Sequence, residues 1–307
     1  MAPPRRRGPL RAVLLCVVAL TVLALVGLIG VTALQRPAQT AYANDDYQVP
    51  PPEAKPPPLP IPETAAQAQE WTRANAIYQQ TMPAPIRCEV ARIDFATADD
   101  ATLKAHFEEL IACLIRAWYL PTQQAGFILV RPTVTIYGDE VQTRCGKTGI
   151  NAMYCGADQQ VYYSRLIATR APILEKNPWA ADIIIAHEFG HAVQGRTGIL
   201  GGDLVLENSE VDKHEQLLLS RRVETQADCF SGLFARSVSR SIGLKDSDTD
   251  LIFDSYYQFG ADVLRKQPNT ESDHGLGATR RYWGQLGLAN DAVTRCNTFS
   301  ADKLLVR

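Results

Sequence analysis

Residues 178–195 read PWAADIIIAHEFGHAVQG. Pro178 suits the first turn of a helix and Gly195 its end, so the stretch predicts one helix. An apolar run leads into two histidines four positions apart, His187 and His191, with Glu188 beside the first. Positions i and i+4 share a helix face, so both imidazoles can reach one ion with the glutamate close by. The apolar lead-in predicts a buried helix with the pair on the floor of a cleft. The competing reading is a half-buried helix face that happens to carry two histidines, and it predicts no third ligand.

A catalytic zinc takes three protein ligands and leaves a position for water. Residues 221–235, RRVETQADCFSGLFA, offer Glu224 as the third ligand on a second helical stretch. Asp228, one turn further, is placed to accept the free ring N–H of a zinc histidine, fixing its tautomer and raising its basicity. Taken alone, these two acids read as a solvated helix face. Combined with the histidine pair they predict a Zn2+ site: His187, His191 and Glu224 as ligands, Asp228 behind them, and Glu188 close beside the ion.

AHEFGHAVQ followed by ETQADCFSG resembles the gluzincin group of zinc metallopeptidases, in which H-E-x-x-H is completed by a glutamate from an E-x-x-x-D helix. More narrowly, the chain is similar to a bacterial family described as putative neutral zinc metallopeptidases, through residues 145–164 (CGKTGINAMYCGADQQVYYS), the Q-A-D-C run and residues 272–287 (SDHGLGATRRYWGQLG). The resemblance spans about residues 125–300. It implies a zincin-like fold, an active-site helix beneath a small sheet with a helical second half, with His187, His191 and Glu224 as zinc ligands and Glu188 as the catalytic base. Ala192 stands where many members carry another histidine, off the ligand face. The order of His274 after the third ligand is similar to that in thermolysin-like enzymes, which implies a histidine stabilising an oxyanion, with a loop-capping or core histidine as the alternative. His106 and His214 read as helix-surface residues, and strand alternation turns one of Tyr162 and Tyr163 to the cleft, as packing rather than catalysis.

Residues 1–11 hold Arg5, Arg6, Arg7 and Arg11 and no acid. Residues 12–34 are uncharged and nearly all apolar, long enough at about 1.5 Å per residue to cross a hydrocarbon core of about 30 Å. A basic flank before an apolar span predicts a signal-anchor with its N-terminus cytoplasmic and the rest outside. A cleaved signal is the alternative, and both export the domain. Beyond residue 34 the chain carries 27 basic and 33 acidic residues, which argues against nucleic acid as a partner.

Of seven cysteines, Cys16 falls in the apolar span and six lie outside it. An even number in an exported domain suggests disulfides, with fifteen connectivities open. The favoured set is Cys145–Cys155, stapling a tight hairpin, with Cys88–Cys113 and Cys229–Cys296. Residues 35–62 are proline-rich and predict an extended spacer. Residues 63–307 then form the extracytoplasmic domain. Its expected fold class is α+β, mainly helical, zincin-like, with a small antiparallel sheet, preceded by the single transmembrane helix. Within it, residues 64–83 and 98–121 read as helices, the second capped by Asp99 or Asp100 and ended by Pro121, and residues 127–139 and 159–164 as strands.

These features together predict a membrane-anchored, zinc-dependent endopeptidase acting on a peptide or protein substrate, which could pair with a strand edge near VTIYG (134–138). A hydrolase of peptidoglycan stem peptides keeps the zinc and changes the amide. A catalytically idle zinc-bearing scaffold is the reading from another class, disfavoured because a structural zinc needs no base.

Overall fold

The computed structural model describes residues 17, 18, 20–23, 41–268 and 270–307. The six in the N-terminal part are helical. Otherwise the expected basic N-terminus and the 12–34 span lie outside the described residues. Among the described residues, no helix is long and apolar enough to cross a membrane. Residues Met1–Ala41 and Tyr42–Arg307 are separate compact units; the fold below is that of the second.

Helix α1 (Ala65–Arg73) starts where the Thr64 side chain accepts the Gln67 N–H. Helix α2 (Asp100–Gln124) starts where Asp99 accepts the Thr102 N–H, each cap satisfying one of the donors a helix start leaves free. Leu103, Phe107, Leu110, Ile111, Leu114 and Trp118 recur at helical spacing and face the core. Proline was expected to end α2, yet Pro121 lies inside its last turn. Pro121 gives up its own N–H bond there, but its carbonyl still accepts the Ala125 N–H, which closes the final turn.

Five short strands follow: β1 (Val134–Tyr137), β2 (Val141–Thr143), β3 (Gly146–Thr148), β4 (Ala152–Cys155) and β5 (Gln160–Ser164). The order β1-β5-β4 makes a three-stranded sheet, with β2 and β3 a separate hairpin. The sheet is mixed, not antiparallel throughout, because β1 runs parallel to β5 while β4 runs antiparallel to it. Residues 127–130, expected as part of a strand, are not one.

A turn of helix, α3 (Ile173–Lys176), leads to α4 (Ala180–Arg196), the predicted histidine helix. Then come α5 (Ile199–Ser209), α6 (Lys213–Val238), α7 (Asp246–Gln258), the one-turn α8 (Ala261–Leu264) and α9 (Gly277–Leu288). Helix α4 is buried on nearly every side, by the sheet's β4, by α2 and by α6. Gly190 lets α4 meet α6: a Cβ there would stand 3.0 Å from Ala227 Cα. Gly287 does the same between α9 and α6, where a Cβ would stand 2.1 Å from the Cys229 carbonyl oxygen. This close stacking places the histidines of α4, the acids of α6 and the arginine face of α9 around one point.

All three favoured disulfides form, Cys88–Cys113, Cys145–Cys155 and Cys229–Cys296. The second ties the β2–β3 turn to the end of β4 rather than closing a hairpin on itself.

From residue 42 the proline-rich segment has a turn at 44–46 and otherwise little regular structure, and it lies on the domain instead of standing off as a spacer. Its carbonyls explain why. Pro57 accepts from Arg196 and Gln159, and Pro50 from Arg131, while Leu59 packs on Gly195 and Tyr47 stacks on Tyr119. Prolines offer no N–H but keep a carbonyl, which suits a strap that accepts from arginine and glutamine side chains.

Candidate metal centre

Helix α4 presents His187 and His191 on one face, and α6 crosses beneath it with Glu224. The His187 and His191 Nε2 atoms stand 3.1 Å apart. Glu224 Oε2 is 3.3 Å from the first and its Oε1 is 3.4 Å from the second. These are the three residues whose donor atoms could hold a metal ion among the described residues.

The other ring nitrogen of each histidine fixes its tautomer. His187 Nδ1 lies 2.8 Å from Asp228 Oδ1, so it carries the proton and donates. His191 Nδ1 lies 2.8 Å from Gln194 Oε1. That amide cannot be flipped, because Gln194 Nε2 donates to the Val223 carbonyl and to Gln226 Oε1, whose own amide nitrogen donates to Tyr78 Oη and the Cys296 carbonyl. In the neutral rings both Nε2 atoms therefore hold the lone pairs, facing each other and a carboxylate, and an ion would displace any proton that His187 Nε2 carries in its absence. Glu224 Oε2 is buried and accepts no hydrogen bond. Three electron-rich atoms converging with no donor between them make a site for a cation. Two donors each about 2.0–2.1 Å from a tetrahedral zinc lie about 3.4 Å apart, close to the separations found here. The residues present fit a zinc ion.

Electrostatics agree. Around His187, burial opposes the imidazolium, but Asp228 and Glu224 outweigh it and push the pKa up to about 10. Burial likewise opposes the Glu224 carboxylate, yet His274, His191 and His187 hold its pKa well below the usual carboxylate range. Carboxylates favouring positive charge are what a metal site needs before the metal arrives.

Asp228 is fully buried and is clamped from its far side by Arg280, a residue the sequence did not single out. Arg280 Nε donates to Oδ2 and Nη2 to Oδ1, both at 2.8 Å, and Nη1 donates to the Phe259 carbonyl at 3.0 Å. Burial raises the Asp228 pKa, but Arg280 and His187 lower it further, so the aspartate stays an acceptor and holds the His187 proton on Nδ1. Replacing Arg280 with glutamine should weaken metal affinity about 10–100-fold, the range for an outer-shell partner. Breaking this buried pair should also cost about 3–5 kcal/mol of stability. A metal titration alongside urea melts checks both, and wild-type values in each would remove Arg280 from the site.

Glu188 is buried and lines the same cleft as the three candidate ligands. Its Oε2 accepts the Tyr154 N–H at 2.7 Å. Tyr154 belongs to β4, so the edge facing the site is β4, not the stretch near VTIYG, which forms β1 at the opposite edge. Since the Tyr154 N–H points away from β5, strand alternation turns the Ala152 N–H and C=O the same way, into the cleft. Neither Tyr162 nor Tyr163 lines it; the Tyr162 hydroxyl donates to Asp158 and Tyr163 packs against Phe107.

The cleft has a volume of about 370 Å³. His274 lines it, half exposed, with Nδ1 2.7 Å from Asp273 Oδ1. Glu224 and Asp273 raise the His274 pKa against burial. His214 is exposed and pairs with Glu271, as a surface residue. His106 departs from the surface expectation: it is buried, with Nδ1 3.0 Å from the Ala91 carbonyl and Nε2 2.7 Å from Asp182 on α4. It braces the start of the histidine helix from α2.

A family profile described as "Putative neutral zinc metallopeptidase" matches residues 69–299. The uncharacterized protein YpfJ of Escherichia coli K12 is 27% identical over 199 residues, 62% of this chain and 69% of that protein. The uncharacterized protein Rv2575 of Mycobacterium tuberculosis H37Rv is 27% identical over 195 residues, 57% of this chain and 64% of that protein. No solved structure matches.

Proposed function

The chain belongs to the family described as putative neutral zinc metallopeptidases, and we propose from that premise that it is a zinc-dependent endopeptidase. The observation that carries this reading is the convergence of His187 Nε2, His191 Nε2 and Glu224 within 3.1–3.4 Å on the floor of an open cleft beside Glu188.

His187, His191 and Glu224 would hold the ion. When bound, zinc supplies Lewis acidity, polarising a carbonyl and lowering the pKa of water from about 15.7 towards about 7. The chain's own groups do the rest. With Oε2 fixed by the Tyr154 N–H, Glu188 keeps Oε1 to take a proton from the attacking water. It then returns that proton to the leaving nitrogen as the C–N bond breaks. The outward N–H and C=O of Ala152 can pair with an extended peptide, aligning its backbone along β4 without reading its side chains. His274, held towards the imidazolium, offers a donor to charge developing on the carbonyl oxygen.

Three disulfides support an oxidising compartment. We propose that residues 12–34 anchor the domain to the membrane with residues 63–307 outside, that its substrate is a peptide or protein, and that it takes no nucleic acid. Incubation with casein and with purified cell wall tests the reading. Chelator-sensitive cleavage of casein, restored by zinc, is expected; release of stem peptides alone would move the activity to peptidoglycan, and no cleavage of either would contradict it.

A further inference from the structure

In this net-acidic chain the cleft is lined by three acids and three arginines. Its acids, Glu188, Glu224 and Asp228, lie on the floor and are each engaged in the site. Two further cleft residues, Arg170 and Arg265, are exposed. Arg170 follows the turn after β5, and Arg265 is the C-cap of α8. Neither forms an ion pair among the described residues: Arg265 donates to the Glu271 carbonyl and more distantly to the Thr270 hydroxyl, and Arg170 has no partner there. Arg280, by contrast, is buried and committed to Asp228. The lining of the same cleft also includes the apolar side chains of Ile183, Ile184, Phe259 and Leu264.

A net-acidic chain that leaves two guanidinium groups uncompensated over its cleft favours an anionic ligand there. Guanidinium is the side chain suited to two-pronged binding of a carboxylate. We propose that Arg170 and Arg265 recognise a carboxylate of the substrate, while an apolar side chain of the same peptide rests on the apolar residues that line the same cleft. The substrate class is thus a peptide combining an apolar residue with a carboxylate, from an acidic side chain or the free C-terminus. This rests on the peptidase reading above.

The test uses quenched fluorescent peptides with one apolar core, carrying Glu, Gln or Lys at successive flanking positions, each with a free or amidated C-terminus. Carboxylate-bearing peptides should exceed their neutral counterparts in kcat/KM by of order tenfold, the scale of one charge-assisted contact. Arg170→Gln and Arg265→Gln should each shrink that advantage, through KM rather than kcat, and added salt should shrink it too. A preference that follows Glu identifies an acidic residue; one lost on amidation identifies the terminal carboxylate. Equal handling of Glu, Gln and both termini, or a preference that survives both substitutions, overturns the proposal. Anisotropy binding of the same peptides to Glu188→Gln protein reads the preference without turnover. Carboxylate-selective binding without any cleavage by wild type would sink the peptidase reading and keep this one, whereas cleavage without selectivity would do the reverse.

Discussion

Glu188→Gln lowers hydrolysis by about 100-fold or more, the contribution expected of a general base, while metal content stays at the wild-type level. The reason is local. Glutamine is isosteric and its amide oxygen can still accept the Tyr154 N–H that Oε2 accepts now, so β4 and α4 keep their spacing. What disappears is a group able to take the proton from water and return it to the leaving nitrogen. Glu188 is not among the three atoms that converge to hold an ion, so metal analysis should not register the change. Turnover within a few-fold of wild type, at equal metal content, would take the base assignment away from Glu188.

Glu224→Ala acts on the other half of the site. It removes the one carboxylate that bridges α6 to the two imidazoles of α4, leaving two lone pairs 3.1 Å apart with nothing to complete the set. Zinc affinity should fall further than the roughly 10–100-fold typical of an outer-shell residue, and hydrolysis should fall with it. Stability gives a readout independent of activity. A ligand at 1,000 times its Kd stabilises the native state by about 4.1 kcal/mol, so added zinc should raise the Tm of metal-stripped wild type clearly. The same zinc should raise the Tm of the alanine variant little. Equal shifts in both proteins would mean that Glu224 is not a ligand.

The centre of the site was legible because its chemistry is local. His187 and His191 are one helical turn apart, and Glu224 and Asp228 another, so each pair could be placed on a face before any tertiary contact was known. The structure brings the two pairs together and seats Asp228 on the ring nitrogen foreseen for it. Arg280 lay in view within residues 272–287, but nothing in its spacing says that α9 packs so tightly on α6 that its guanidinium reaches Asp228. That depends on close approaches such as the one at Gly287. Gln194 carries only a weak signal, three positions after His191 on the same helix.

The misread elements have physical causes too. VTIYG is a strand, as its β-branched and aromatic residues indicated, but composition does not say which edge of a sheet meets the cleft. His106 has a surface-like neighbourhood in sequence, LKAHFEEL, and became buried because α2 carries it against Asp182 of α4. The composition of the proline-rich segment marks it as a spacer but omits the carbonyls that Arg196, Gln159 and Arg131 use to fasten it to the domain.

X-ray diffraction recorded across the zinc absorption edge, on protein loaded with zinc, tests the metal centre most directly. One strong anomalous peak should lie about 2.0–2.2 Å from His187 Nε2, from His191 Nε2 and from a Glu224 carboxylate oxygen. A peak bound elsewhere, or bound to the histidines with Glu224 turned away, would contradict the account.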